Sequence, residues 1–194
     1  AMPNMQLIQT QGKMHYGFSM RVTDGPFSDP DVRRAMKLAI NRDDIVAKIL
    51  SGFGSVANDQ PISAAYPYHN PDLPQTVYDP DQARALFKKA GVEGTTIPLH
   101  VADTPFTGAV DAAQLYREHA MAAGVELDVI REPDDGYWSN IWCKKPFFAT
   151  KWSGRVNEDA MLSLAYSRES IGGWNETGWD NEAFNTALLA ARGE

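Results

Sequence analysis

The chain has few of the features that would tie it to a membrane, a nucleic acid or a disulfide framework. It contains one cysteine, Cys143, which cannot form an internal disulfide and leaves the redox compartment open. Its apolar stretches are far shorter than the roughly 20 residues that a membrane span requires. No block of Lys and Arg is longer than a pair, and the net charge is −7. We therefore expect no insertion into a membrane and no nucleic-acid partner.

What the chain does contain is the composition of a globular domain. Its 194 residues are 43% hydrophobic and 22% charged. A chain of this length buries about 70% of the surface that its unfolded form exposes, so it can build a core without a disulfide or a structural metal. These properties predict one domain.

Hydrophobic periodicity predicts strands that alternate with helices. The predicted strands cover 14–22, 96–101, 125–131 and 146–152. The predicted helices cover 30–40, 42–50, 80–90, 109–123, 136–142, 158–166 and a last helix that ends at 191. Strands and helices in this order are typical of an α/β layer architecture whose sheet is at least partly parallel.

Capping residues mark where the helices begin. Asp29, Asn41 and Asp79 each precede a helical pattern, and prolines at the first helical position follow two of them. Asp180 is predicted to cap the last helix in the same way. Residues 58–76 are rich in proline and lack periodicity, which predicts a long ordered surface loop.

Four segments of the chain resemble, in order, the motifs of one family. The family comprises the solute-binding proteins of oligopeptide and dipeptide ABC transporters, and its signature stretch is similar to PFSDPDVRRAMKLAINRDDIVAKILSG (Pro26–Gly52). Its Tyr-Asp-Pro helix is similar to YDPDQARALFKKAG (Tyr78–Gly91), its tryptophan-bearing strand end to FFATKWSGR (Phe147–Arg155), and its late helix to WDNEAFNTALLAAR (Trp179–Arg192). Because the four matches are colinear and span nearly the whole chain, the resemblance is specific.

The resemblance implies a fold, a function and a location. The family has a type II periplasmic-binding fold, in which two lobes close on a ligand by hinge motion. Residues 1–194 are then expected to form a single α/β lobe, a mixed sheet flanked by helices, that corresponds to the second lobe, with the first lobe and the final segment absent. The implied function is to capture a short peptide or a related small polar ligand and to present it to an ABC permease. A periplasmic or other extracytoplasmic, membrane-associated location, a monomer and no cofactor are expected.

The end of the fourth predicted strand carries the sharpest functional prediction. In peptide-binding members this strand ends in Trp-x-x-Asp, where the ring lines the cleft and the carboxylate pairs with the α-ammonium group of the ligand. The corresponding residues here are Trp152, Ser153, Gly154 and Arg155. Two like charges ~4 Å apart repel by about 4 kcal/mol at an effective dielectric constant of about 20, which disfavours an ammonium group beside Arg155. A guanidinium group instead suits a carboxylate, a phosphate or a polyhydroxylated ligand.

An alternative stays open for each arginine in the predicted site. Arg155 could pair with Glu158 or Asp159, which follow it closely in sequence, and then would not meet a ligand. Arg21 is a second candidate because members of the family often carry an asparagine near this point. Its alternative is a solvent-facing position on the strand.

Loops that contain aromatic and amide side chains supply further candidates. Trp174 and Asn175 lie in the sequence GGWNET, and Tyr137 and Trp138 lie in DDGYW. Binding surfaces commonly form on such loops. The alternative is that the aromatic rings belong to the core.

Signals of enzymatic chemistry are sparse. The histidines lack the i, i+4 spacing and the CxxC partners that are typical of zinc ligands. The sequence contains no GxSxG, no GxxxxGK and no GxGxxG after a strand. We therefore predict a binding protein with no catalytic residue and no metal site. Two other classes stay open: a ligand sensor or interaction protein without transport, and a hydrolase of unfamiliar type.

Overall fold

Four strands form one mixed sheet at the centre of the molecule. They are β1 (His15–Met20), β2 (Thr96–Val101), β3 (Glu126–Arg131) and β4 (Phe147–Trp152), arranged in the order β1-β4-β2-β3. β2 runs parallel to β3 and to β4, whereas β1 is antiparallel to β4. The computed structural model describes Gln6 and residues 8–193. The predicted α/β architecture with a partly parallel sheet is confirmed.

Helices cover both faces of this sheet. They are α1 (Pro30–Leu38), α2 (Arg42–Lys48), α3 (Pro80–Lys89), α4 (Ala109–Ala122), α5 (Tyr137–Asn140), α6 (Glu158–Tyr166) and α7 (Glu182–Ala191). β2, α4 and β3 form the predicted β-α-β unit, since the two strands pair in parallel. Within the part of the chain that the structure describes, no helix combines the length and the apolar character needed to cross a bilayer.

The first three predicted helix caps are confirmed. The Asp29 side chain accepts a hydrogen bond from the backbone N–H two residues on (2.8 Å), and the Asn41 and Asp79 side chains each accept one from three residues on (3.1 and 2.9 Å). Each bond satisfies a backbone donor of the first helical turn that has no partner within the helix. Capping alone therefore explains why helices begin at these positions.

The predicted cap of α7 is wrong by one residue. Asn181, not Asp180, accepts the hydrogen bond from the Phe184 N–H (2.9 Å), because the helix begins at Glu182 and its cap must directly precede it. Asp180 instead pairs with the Arg168 guanidinium group at 2.8 Å. Asp180 and Asn181 are adjacent and both are good capping residues, so the sequence left the start of this helix ambiguous by one position.

The main core lies on one face of the sheet. β4 alternates its side chains between the two faces, so Phe147 and Ala149 point into this core and Phe148, Thr150 and Trp152 point away from it. The Phe147 ring lies 5.2 Å from the Phe27 ring and within 6.5 Å of the rings of Phe18 and Tyr116, measured between centroids. Helices α1, α3 and α4 supply most of the remaining core.

The opposite face is covered by α5, α6 and the long loop. Tyr137 of α5 and Ile141, which directly follows α5, pack on Phe148, and Met161 of α6 packs in the same cluster as Trp152. Residues 58–76 contain neither helix nor strand, which confirms the predicted ordered loop, and Asn58 fixes its ends by accepting from the Thr76 N–H at 2.7 Å. The end of β4 therefore emerges between this loop and α6.

Candidate functional site

The site begins where β4 ends. Trp152 is the last residue of the strand and is buried against Ile62 and Tyr66 of the long loop and Met161 of α6. Residues 153–157 then run to the start of α6 as a loop that is exposed except at Arg155, which is half-buried. The strand and the loop behind it thus hold one ring rigidly and present the following residues to the outside.

Three more tryptophans continue from Trp152 across this face and form a row of four rings. The ring of Trp152 lies 5.9 Å from that of Trp174, Trp174 lies 5.4 Å from Trp142, and Trp142 lies 5.9 Å from Trp138. Trp174 and Trp138 are 49% and 41% exposed. This tryptophan row therefore offers aromatic surface to a ligand while its inner members are held in the protein.

Arg155 stands at one end of the row. Its guanidinium carbon lies 5.3 Å from the centre of the Trp152 ring, and its Nη1 donates to the Ser153 carbonyl oxygen at 2.9 Å. The Tyr66 hydroxyl accepts from the Arg155 N–H (2.8 Å) and donates to its carbonyl oxygen (3.2 Å). The backbone of Arg155 is thereby fixed by the long loop, and its side chain lies over a buried ring.

The sequence alternative for Arg155 is not found. The Glu158 carboxylate accepts from the Tyr68 N–H at 2.8 Å, and Asp159 pairs with Arg192 at 2.7 Å, which lowers the pKa of the Asp159 carboxyl. Among residues 8–193, no carboxylate oxygen lies within 4 Å of the Arg155 guanidinium group. The charge of Arg155 is thus left without an internal acidic partner in this range.

The Tyr66 hydroxyl gives the first testable consequence. Tyr66→Phe is expected to lower the free energy of unfolding by about 1 kcal/mol, since both of its hydrogen bonds to Arg155 are lost and the N–H loses its acceptor. Urea denaturation followed by circular dichroism measures this change. Tyr68→Phe is the matched control, because the side chain of Tyr68 is largely exposed, and it should change stability by less than about 0.5 kcal/mol. Equal effects of the two variants would contradict the proposed anchoring of Arg155.

The Arg21 side chain is half-buried and is held by internal partners. Its Nε pairs with Asp24 at 2.6 Å, which lowers the pKa of that carboxyl, and its Nη1 donates to the Cys143 carbonyl oxygen at 3.0 Å. These bonds join the end of β1 to the turn after α5. A freely solvent-facing position, the alternative from the sequence, does not fit a side chain with these internal partners. That Arg21 contacts a ligand stays a prediction.

Asn175 shapes the loop that carries Trp174. It is buried, its Nδ2 donates to the carbonyl oxygens of Ser167 (3.2 Å) and Trp179 (3.0 Å), and its Oδ1 accepts from the Gly178 N–H (3.0 Å). All three contacts are internal to the chain. Trp174 thus presents a ring, whereas Asn175 holds the backbone beneath it.

The two aromatic residues of the DDGYW segment have different positions. Tyr137 belongs to the core, since its ring is buried and its hydroxyl donates to the Ala149 carbonyl oxygen at 2.8 Å. Trp138 is the exposed far end of the tryptophan row. The core alternative therefore holds for Tyr137 and not for Trp138.

Sequence reasoning missed the buried acid of this face. Glu176 is 5% exposed, and its carboxylate accepts from the Trp142 indole N–H and the Thr150 hydroxyl. Burial raises the pKa of the Glu176 carboxyl. The available sequence signal was a lone acid between Trp174 and Trp179 in a glycine-rich loop.

Comparison with known proteins identifies the family to which this chain belongs. The model of the bacterial extracellular solute-binding proteins, family 5 Middle, matches residues 1–174. The chain belongs to this family. The predicted membership is thereby confirmed, and members of family 5 are binding proteins rather than enzymes.

Curated relatives agree with the family 5 assignment, and solved structures share the fold. The glutathione-binding protein GsiB of Salmonella paratyphi A is 38% identical over 96% of this chain, and the di/tripeptide-binding protein 3 of Pseudomonas aeruginosa is 27% identical over 95%. The chain spans 36% of the length of each relative. HbpA2 from Haemophilus parasuis superposes with a TM-score of 0.89 at 22% identity, over 97% of this chain and 38% of HbpA2. The predicted periplasmic-binding-protein fold is confirmed.

No metal centre accompanies the candidate site in the part of the chain that the structure describes. There, no group of three or more His, Cys, Asp and Glu side chains is arranged to hold a metal ion. The aromatic row and Arg155 are suited to stacking, charge pairing and hydrogen bonding with a ligand.

Proposed function

We propose that this chain is the second lobe of an extracytoplasmic, periplasmic solute-binding protein that captures a short peptide or a related small polar ligand and presents it to an ABC permease. The single α/β lobe would close on the ligand against a first lobe outside this chain. Relatives named for dipeptides and for glutathione support the ligand class. The proposal includes a monomer, no cofactor and no catalytic step.

The observation that carries this proposal is the position of Arg155. This cation is stacked over Trp152 and has no acidic partner among residues 8–193, and the Trp152 ring lies 5.9 Å from the exposed ring of Trp174. An arginine in this setting offers a rigid fork of donors to an anionic group. We therefore place the ligand against Trp152, Ser153, Gly154, Arg155 and Trp174, with Arg21 and Asn175 as supports of the surrounding loops.

The charge of Arg155 also limits how a peptide binds. An ammonium group placed ~4 Å from the guanidinium group would be repelled by about 4 kcal/mol at an effective dielectric constant of about 20. A carboxylate at the same distance would be attracted. The ligand is therefore anchored here through an acidic group and not through a free amino terminus.

The experiment is an NMR titration of the ¹⁵N-labelled chain with glutathione, with its N-acetylated form and with its fully amidated form. We expect saturable shifts at the Trp174 indole and the Arg155 backbone N–H, because NMR detects the weak binding of half a cleft. N-acetylation should change the apparent Kd by less than about twofold, whereas amidation should weaken binding about tenfold, or about 1.4 kcal/mol. Arg155→Ala should cause a similar loss, and Arg34→Ala, an exposed arginine of α1, should cause none.

Three results would contradict the proposal. One is binding that weakens sharply on N-acetylation and is unaffected by Arg155→Ala, which would mean that an amino terminus is the anchor. Another is a set of shifts confined to the α3 and α4 side of the sheet. Release of amino acids from glutathione during the titration would show catalysis.

A further inference from the structure

A second cation, distant in sequence, contacts the loop that carries Arg155. His15 of β1 pairs with Trp152 of β4, and continuing this register by two residues brings Lys13 opposite Gly154. A Cβ atom built on Gly154 would lie 2.5 Å from the Lys13 Cβ. The absence of a side chain at Gly154 is therefore what lets Lys13 pack against the loop that carries Arg155.

Lys13 and Arg155 are held in similar ways. The Lys13 Nζ lies 4.2 Å from the centre of the Tyr66 ring and donates to the Val156 carbonyl oxygen at 3.2 Å. The Arg155 guanidinium carbon lies over the ring of Trp152, which packs in the same cluster as Tyr66. Two aromatic rings of one cluster thus carry one cation each; Arg155 belongs to the 153–156 loop, and Lys13 contacts that loop through the Val156 carbonyl oxygen.

Neither cation is neutralised from within residues 8–193. No carboxylate oxygen in that range lies within 4 Å of Lys13 Nζ or of the Arg155 guanidinium group. Contact with a ring holds a cation but does not cancel its charge. By contrast, Arg42, which is also partly exposed, pairs with Asp59 at 2.6 Å. Two like charges held at one loop, Arg155 within it and Lys13 against it, repel each other, and an external anion relieves that repulsion.

The neighbouring histidine does not change the net charge around Lys13 and Arg155. His15 lies on the same strand face as Lys13, and burial lowers its pKa to about 4. It is therefore uncharged at neutral pH and adds no positive charge. The positive charge of this corner comes from Lys13 and Arg155.

We infer that Lys13 and Arg155 form one two-cation site that binds a ligand carrying two carboxylates. The inference rests on the proposed function, in that the same loop must face the ligand. Arg155 takes one carboxylate with its planar fork, and Lys13 takes the second as a point charge. The ligand class is thereby narrowed to dicarboxylates, such as peptides with an acidic side chain and a free carboxyl terminus.

The test uses three probes of equal chain length: succinate with two carboxylates, butyrate with one, and succinamide with none. In an NMR titration of the chain, succinate should bind about tenfold more tightly than butyrate, and succinamide should not saturate. Lys13→Ala should weaken succinate binding about fivefold to tenfold and butyrate binding by no more than about twofold. Arg155→Ala should weaken both, and Lys13→Arg should restore most of the succinate affinity.

Lys88→Ala is the control, because Lys88 is exposed on α3 at the other face of the sheet. The inference is overturned if Lys13→Ala leaves succinate binding unchanged, if succinate binds no better than butyrate, or if no probe shifts the signals of residues 153–156. The two proposals fail separately. Glutathione binding that needs Arg155 but not Lys13 would contradict the two-cation site and leave the proposed function standing. Succinate binding through both cations without any glutathione binding would contradict the proposed peptide ligand and leave the two-cation site standing.

Discussion

Phe147→Ala is expected to lower the free energy of unfolding of this chain by about 3–5 kcal/mol. The Phe147 side chain is fully buried at the start of β4, and it contacts rings from three separate elements, namely Phe18, Phe27 and Tyr116. Because these rings are fixed by β1, by the turn before α1 and by α4, they cannot all move to fill the space. Urea denaturation followed by circular dichroism measures the loss.

Two further variants separate cavity formation from a general effect of removing phenylalanine. Phe53→Ala, at a side chain that is 58% exposed, should change stability by less than about 0.5 kcal/mol. Phe147→Leu keeps part of the volume and should cost clearly less than Phe147→Ala. A Phe147→Ala loss below about 1 kcal/mol would show that the core refills, and that β4 is not fixed by this cluster.

The elements of the fold were predictable because their signals are local. Asp79 followed by Pro80 defines a helix start through one side-chain hydrogen bond and one preset backbone angle, both contained within four residues. The β-α-β unit follows from the order of its elements and from the rule that such strands pair in parallel. The error at Asp180 has the same origin, since two adjacent polar residues offer nearly the same cap.

The candidate site was less predictable because its contacts join distant parts of the chain. Arg155 could be singled out from one motif, but its unpaired state depends on where Glu158 and Asp159 find other partners. Lys13 reaches Gly154 through the β1–β4 register, across more than half of the chain. No local pattern encodes such a register.

The burial of an acid under the tryptophan row leads to the second large effect. Glu176→Ala is expected to cost about 2–6 kcal/mol, because the Trp142 indole N–H and the Thr150 hydroxyl both lose their acceptor, at about 1–3 kcal/mol for each donor. Glu176→Gln is the matched variant, since it keeps a carbonyl oxygen for these donors but cannot ionise. Urea denaturation of the three proteins at one acidic pH measures the difference.

The Glu176 carboxyl also sets a direction for the pH dependence of stability. Burial raises the pKa of this carboxyl above its ordinary value of 4.5, so the unfolded chain ionises Glu176 at a lower pH than the folded chain does. As the pH rises from 4.5 toward the raised pKa, the parent protein should lose stability relative to Glu176→Gln, and above that pKa the difference should level off. Asp24, Asp44 and Asp159, whose pKa values are lowered, act in the opposite direction but are common to both proteins and cancel in the difference. Parallel stability profiles of the parent and Glu176→Gln would contradict this prediction. They would show that Glu176 ionises as easily in the folded chain as in the unfolded chain, and that burial beneath the tryptophan row does not raise its pKa.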